Sequence, residues 1–222
     1  AHTPGFYTTG DNNWFYADSH GRNVTGAQII NGQHLYFDAN GRQVKGGFVM
    51  NTDGSRSFYH WNTGDKLVST FFTTGHDRWY YADDKGNVVT GAQVINGQKL
   101  FFGTDGKQVK GDFATNANGS RSYYHGATGN KLVSTFFTTG DNNWYYADAK
   151  GELVVGEQTI NGQNLYFDQT GKQVKGATAA NPDGSISYYD VHTGEKAINR
   201  WVKIPSGQWV YFNAQGKGYV SN

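Results

Sequence analysis

The chain has no cysteine, only three prolines and one methionine, and almost no net charge. The first absence excludes a disulfide framework and any thiolate metal site. Lys and Arg together number 19 against 18 Asp and Glu, a formal net charge of +1. So balanced a chain sets up no long-range field to attract nucleic acid or an anionic membrane, and neither is expected as a partner. No run of 18 apolar residues is present, so no membrane-spanning helix is read from hydropathy. No stretch of ten or more residues keeps an apolar period of 3.6, which argues against long helices. No basic-then-apolar leader opens the sequence, and AHTPGFYTTG reads as the interior of a larger protein.

What fills the chain instead is glycine (31 of 222 residues) and aromatic side chains (14 Phe, 15 Tyr and 6 Trp). Aromatics packed between many turns point to short strands. The same text also recurs. INGQHLYFDANGRQVKG at 30–46 returns at an equal interval as INGQKLFFGTDGKQVKG at 95–111, and again as INGQNLYFDQTGKQVKG at 160–176. The super-repeats run 6–70, 71–135 and 136–200, with a degenerate fourth start over 201–222. Each divides again at an aromatic followed five residues later by Gly, from Tyr16/Gly21 and Tyr36/Gly41 to Tyr211/Gly216. That makes ten modules, three to a super-repeat, with the same three spacings in the same order. An enzyme needs its chemistry once; a chain that repeats it is presenting one surface many times.

Each module reads as a β-hairpin whose polar segment, such as DANG, makes the turn. With Asp38–Gly41 as the loop, Phe37 faces Arg42, Tyr36 faces Gln43 and Leu35 faces Val44. Period-two alternation then predicts an apolar face of Phe15/Val24, Leu35/Val44, Phe58/Leu67, Tyr80/Val89, Leu100/Val109, Tyr123/Leu132, Tyr145/Val154 and Leu165/Val174. The opposite face carries Trp14, Tyr16, His34, Tyr36, Gln43, Lys45, Tyr59 and Lys66. One hairpin is marginal alone, but stacked hairpins share a continuous seam. The expected fold is all-β: an elongated β-solenoid of about ten stacked hairpins forming one domain over residues 1–222.

No constellation for catalysis emerges. Asp18, Asp38, Asp83, Asp148 and Asp168 sit in module loops, where Asp serves turn formation. NTDGS at 51–55 has the flavour of a Ca²⁺ loop but lacks its later Glu, since His60 stands there. His60 and His125 are repeat equivalents, and Asp190 holds that place in the third copy. No metal, cofactor or catalytic residue is expected. Two features point to binding. Trp14, Tyr16, Trp79, Tyr81, Trp144 and Tyr146 fall on the outward face, and aromatic rings take the C–H face of a pyranose. Gln43/Lys45, Gln108/Lys110 and Gln173/Lys175 recur in every third module, and a Gln with a Lys two residues on offers the donors and acceptors that hydroxyl-rich ligands need.

At these residues a resemblance becomes specific. TGAQVINGQKLFF, DGKQVKG and the WYYAD-x-KG run resemble the glucan-binding repeats of bacterial glucansucrases, the extracellular dextransucrase-type enzymes that build α-glucans from sucrose. The likeness spans nearly the whole chain; it is strongest over 6–176 and drifts from 177, at GATAANPDG and WVKIPSGQW. The resemblance implies a non-catalytic β-solenoid whose pockets hold α-1,6-linked glucosyl units on a stacking aromatic and a Gln-x-Lys pair. Carried over, the pairs are Gln43 with Lys45, Gln108 with Lys110, and Gln173 with Lys175. The aromatic is either Tyr16, Tyr81 and Tyr146 of the preceding hairpin, or Tyr36, Phe101 and Tyr166 of the same one. Phe101 departs from Tyr, and Gly103 replaces an Asp. The implied partners are dextran-like α-glucan and isomaltooligosaccharides, bound by a monomer that is secreted or held at a bacterial cell surface. The aromatic-x4-Gly hairpin is shared with choline-binding repeats, which leaves a choline or teichoic-acid anchoring module as the alternative.

Overall fold

Asn31 and Gly32 carry positive φ angles of 52° and 80°, the pair that a two-residue type I′ turn requires. They close a hairpin in which Gly26–Ile30 pairs with Gln33–Phe37, Ile30 opposite Gln33. The computed structural model describes residues 1–221, and all their regular structure is of this sort: twenty strands in ten two-stranded antiparallel hairpins.

Three kinds alternate. The first joins Gly5–Thr8 to Trp14–Ala17 and recurs as Thr70–Thr73 with Trp79–Ala82, Thr135–Thr138 with Trp144–Ala147, and Arg200–Lys203 with Trp209–Phe212. The second is the Asn-Gly hairpin just described, repeated as Gly91–Ile95 with Gln98–Phe102 and Gly156–Ile160 with Gln163–Phe167. The third joins Gly47–Met50 to Arg56–Tyr59, Asp112–Thr115 to Arg121–Tyr124, and Ala177–Ala180 to Ile186–Tyr189.

The number of modules agrees with the sequence reading, but the hairpin lies upstream of where that reading puts it. The aromatic strand is the second strand of each hairpin, and the residues after it make one isolated bridge. That bridge sets Phe37 opposite Gln43, not Arg42. The cause is the Asp38 turn. Its N–H donates to the Arg42 carbonyl at 2.8 Å, and its carboxylate accepts the Asn40 and Arg42 N–H groups, each at 2.9 Å. The turn therefore closes on residue 42, one later than expected. A slip of one exchanges the two sides of a strand. Gln43 accordingly joins the side of Phe37, and Val44 comes level with Tyr36, whose carbonyl accepts its N–H at 2.8 Å.

Burial follows the corrected register. Leu35, Leu100 and Leu165 are core as expected, but so are Phe37, Phe102 and Phe167, and Ala17, Ala82 and Ala147. Val24, Val44, Val89, Val109, Val154 and Val174, expected as full core partners, are half-buried, as is Phe15. Tyr59, expected to face outward, is buried, as are its equivalents Tyr124 and Tyr189. The side opposite the core is no solvent face here, because the ring of Tyr36 lies 5.8 Å from that of Tyr59.

The chain divides into two compact units, Ala1–Val109 and Lys110–Asn222. Within the first, consecutive modules are joined by one backbone bond each. The N–H groups of Gln43, Lys66, Val88 and Gln108 donate to Trp14, His34, Arg56 and Trp79 of the module before, at 2.7–2.8 Å. Apolar clusters also straddle two modules: Phe58, Phe72, Tyr80, Ala82 and Val88 with Phe48 and Leu67, and Ile30, Leu35 and Phe37 with Tyr16 and Val24. Arg56 lies over the Phe48 ring and donates to the Asp105 carbonyl two modules on. The second unit repeats the scheme, with Leu153, Gln173 and Lys196 donating to Arg121, Trp144 and Asn164. There Tyr145, Ala147 and Leu153 pack with Phe113, Leu132 and Phe137.

The glycine that marks each module now has a reason. Gly64 has φ +77°, and a Cβ there would lie 2.2 Å from Nε2 of Gln43; Gly194 stands in the same relation to Gln173. At Gly86, Gly151 and Gly216 the stems of Lys66, Lys131 and Lys196 come nearly as close. Within each unit, each module lays the side chain that follows its aromatic strand onto the turn glycine of the next.

Candidate functional site

The Gln-x-Lys segment inherits its geometry from that stacking. In the first unit, the turn after Phe37 points Gln43 toward the following module's His60–Asp65 turn. Gln43 is 7% exposed, and its amide nitrogen reaches the Thr63 carbonyl at 3.5 Å. The sequence reading places it on an outward strand face; the one-residue shift of register places it inside. Lys45, two residues on, keeps its stem beside Gly64 and carries its ammonium over the Trp14 indole, 5.4 Å from the ring centroid. A cavity of about 180 Å³ opens here, lined by Asn12, Asp38, Arg42, Gln43, Val44 and Lys45.

The second unit holds the same arrangement. Gln173 is 7% exposed, its N–H donates to the Trp144 carbonyl at 2.7 Å, and the Lys175 ammonium sits 5.4 Å from the Trp144 centroid. The middle pair is divided between the units in sequence. Gln108, equally buried, donates its N–H to Trp79 within the first unit, and Lys110, half-buried, opens the second.

The structure thus brings Gln and Lys together with the Trp of the preceding module; neither that Trp nor either candidate tyrosine is among the residues lining the cavity. Tyr16 packs edge-on to Phe6 at 4.7 Å and joins the Ile30–Leu35–Phe37 cluster. Tyr81 and Tyr146 do the same against Phe71 and Phe136. Tyr36 packs toward Tyr59, Phe101 is half-buried, and Tyr166 lies 5.4 Å from Tyr189 and lines a different cavity. The sequence reading does put Trp14 and Trp144 on the outward face. What it lacks is their pairing with Lys45 and Lys175 of the following module, which only the module stacking supplies. Asn12 and Arg42 carry no signal in the sequence at all.

The acidic and histidine residues resolve as turn chemistry. The carboxylates of Asp18, Asp83, Asp148 and Asp168 each accept two backbone N–H groups, as Asp38 does. The Arg22 N–H holds the Asp18 carboxyl below the usual range. In NTDGS, Asp53 accepts from both the hydroxyl and the N–H of Ser55, which lowers its pKa, while Asn51 donates to Ser55 and Ser57. The loop is a satisfied turn, not a cation cage. Nδ1 of His60 and of His125 accepts two N–H groups, and Oδ1 of Asp190 does so in the third copy. This explains why His and Asp exchange there. Burial pushes the phenols of Tyr59, Tyr124 and Tyr189 up, so they stay neutral. Among the described residues no group of three His, Asp or Glu could hold a metal ion.

The chain is similar to known repeat proteins. A choline-binding repeat matches residues 24–71, 89–136 and 154–201, and a putative cell wall binding repeat matches 69–88, 134–153 and 199–217. Glucosyltransferase-S of Streptococcus mutans is 39% identical over 203 residues, covering 91% of this chain and 14% of that protein. Glucosyltransferase-I of the same organism is 45% identical over 190 residues, covering 86% of this chain and 13% of that protein. The chain therefore spans a small part of these relatives. Among solved structures, choline binding protein F of Streptococcus pneumoniae superposes with a TM-score of 0.65 at 19% identity, over 94% of this chain and 76% of that one; this likeness is one of fold.

Proposed function

Because the chain belongs to the choline-binding repeat family, we propose that within that family it is a non-catalytic module whose ligand is α-glucan and not choline. The observation that carries this reading is the ammonium over the indole. A choline site needs aromatic faces left free for a cation. Here Lys45 and Lys175 already occupy the cation position over Trp14 and Trp144. A second cation would meet repulsion, since Lys45 and Arg42 outnumber the single carboxylate of Asp38 around the cavity. An uncharged polyol would not: its hydroxyls accept from the ammonium and donate to the Gln43 amide oxygen or the Asp38 carboxylate. Its C–H groups can rest on the part of the ring face that the lysine leaves open. The names of the relatives, glucosyltransferases, support a glucan as the polyol.

The proposed ligands are dextran-like chains and isomaltooligosaccharides, with Gln43/Lys45, Gln108/Lys110 and Gln173/Lys175 as the contact pairs and the tryptophans as the rings. The α-1,6 preference rests on the resemblance of the Gln-x-Lys repeats. We place the module, one binding domain over residues 1–222 acting as a monomer, in a secreted or cell-surface glucansucrase. Affinity electrophoresis through gels containing dextran, with isomaltotriose, maltotriose and choline as competitors, tests this. Retardation by dextran relieved by isomaltotriose is expected. Choline binding with no retardation by dextran would instead favour the anchoring reading, which the family match to choline-binding repeats keeps as the alternative.

A further inference from the structure

A cavity of about 660 Å³ in the second unit lies away from both Gln173 and Lys175. It is bounded by the hairpins of Gly156–Phe167 and Ala177–Tyr189 and by the last turn before Lys217. That volume falls within the range of about 300–1,000 Å³ typical of small-molecule sites. Its wall carries one aromatic ring, Tyr166, and two ion pairs. Lys196 Nζ stands 3.8 Å from Glu157, and Lys217 Nζ stands 2.7 Å from Asp183.

Three of these positions are particular to the third copy. Ala27 and Ala92 stand where Glu157 does, Asn87 and Glu152 where Lys217 does, and Met50 and Thr115 where Ala180 does. In the earlier copies the bond between these modules is made by neutral or singly charged pairs, Ser55 with Asn87 and Asn118 with Glu152. The third copy makes it a full ion pair, adds a second, and shortens the side chain at the rim. Beneath, Asn181 is bonded to Ser185 and Ser187, and the Ser187 hydroxyl donates to the Gly216 carbonyl at 2.9 Å, so the cavity has a fixed polar floor.

We propose that this cavity is a second saccharide site, separate from the Gln-x-Lys pockets, that lays one ring of an uncharged oligosaccharide on Tyr166 and bonds its hydroxyls to the Glu157–Lys196 and Asp183–Lys217 pairs. Charge balance selects the ligand class. Two carboxylates and two ammonium groups cancel, so an anion would have to draw a lysine from its carboxylate and a cation would have to do the reverse. A hydroxyl both donates and accepts, and so bridges an intact pair. The ring adds a face for sugar C–H groups. The choice of a sugar rests on the α-glucan reading; the cavity and its charge balance do not.

The test uses the whole 222-residue chain labelled with ¹⁵N, titrated separately with isomaltotriose, maltotriose and choline. Amides within residues 181–187 (Pro182 has none) should shift saturably with at least one trisaccharide and stay still with choline. Tyr166→Ala should weaken that response about tenfold, a change of about 1.4 kcal/mol. Tyr166→Phe, which places the residue of the matching position Phe101, should retain most of it and controls for folding. Ala180→Met, copying Met50, should reduce it by narrowing the rim. Residues 43–45 report the Gln-x-Lys pocket independently. If 43–45 respond to a trisaccharide and 181–187 never do, the second site is refuted and the first reading stands. If only 181–187 respond, the second site stands without the first. Shifts at 181–187 that choline alone produces, or that Tyr166→Ala leaves undiminished, also refute it.

Discussion

Placing a methyl on Gly64 probes the contact from which both fold and pocket are built. Two costs arise in Gly64→Ala. The backbone sits at φ +77°, where an L residue other than Gly loses about 1–2 kcal/mol. The new Cβ would also fall 2.2 Å from Nε2 and 3.1 Å from Cδ of Gln43, which must vacate a position where it is 7% exposed. Moving it disrupts the bond to Thr63 and the packing around it, at about 1–2 kcal/mol more. The total is about 2–4 kcal/mol, a large fraction of the roughly 5–15 kcal/mol that holds a typical domain together. Gly32→Ala separates the two costs. Gly32 has φ +80° but nothing within 4 Å of its would-be Cβ, so only the backbone term applies. Urea unfolding should therefore rank wild type above Gly32→Ala above Gly64→Ala. Adding Gln43→Ala to Gly64→Ala should recover part of the steric loss, a non-additivity expected of residues in contact. Equal midpoints for the two glycine variants, or strict additivity in the double variant, would refute the stacking account.

Gln43→Ala alone should lower stability by about 1–2 kcal/mol along with glucan affinity, in contrast to what an exposed strand residue would do; paired urea and dextran titrations read both. Lys45→Met with Lys175→Met keeps the stems on Gly64 and Gly194 and removes the ammonium from each indole; dextran binding should fall about tenfold or more by affinity electrophoresis, and a choline response should emerge as the rings come free. Disabling one, two and then three of Lys45, Lys110 and Lys175 should reduce dextran affinity more than proportionally, while isomaltotriose affinity per remaining site stays constant, if the sites act together on one chain. On acidification, Asp18, Asp53 and Asp190 matter: the Arg22 N–H, the Ser55 hydroxyl and the Thr193 N–H respectively hold their carboxyls below the usual value of 3.8. A folded-state pKa below the unfolded one gives stability that is complete above the unfolded value and is lost as pH falls through the folded one. Urea midpoints should hold from neutral pH to about 5 and drop below about 4, less steeply in Asp53→Asn, since Asn118 makes the same turn bonds in the second copy.

The super-repeat, its ten modules and the leucine core at 35, 100 and 165 are legible in the sequence because repetition shows each constraint several times. The hairpin boundary is not. Two turn signals compete in every second-kind module, Asn31-Gly32 and Asp38–Gly41, and the sequence reading follows the later one. Only the first permits a full ladder, since Asn-Gly supplies two consecutive positive φ angles while the Asp38 turn closes on residue 42. From that single residue the misplacement of Gln43 follows; Tyr59, whose pairing with Lys66 the sequence reading has right, is buried because Tyr36 of the preceding module packs over it. The Gln-x-Lys pairs are visible as a pattern, but the Trp14–Lys45 contact joins residues in different modules, and no periodicity within one module encodes it. Residues such as Phe15 and Tyr16 cannot be sorted by alternation, because neighbouring modules cover both sides of a strand.

The rule that each module rests a side chain on the next turn's glycine also governs how such a chain can lengthen. The resting residue rotates through three identities: Asn23 or an aliphatic (Val88, Leu153), then Gln43 and Gln173, then Lys66, Lys131 and Lys196. Each meets a different turn: Gln43 meets one held by His60, and Lys66 meets one held by Asp83. A recombination event that inserted one or two modules would set a donor of one class on an acceptor of another and leave the tryptophan without its lysine. Exchange in threes restores every junction. The three-hairpin unit is thus the smallest genetic step that conserves both the seams and the pockets, and lengths in this lineage should grow by whole triplets of hairpins.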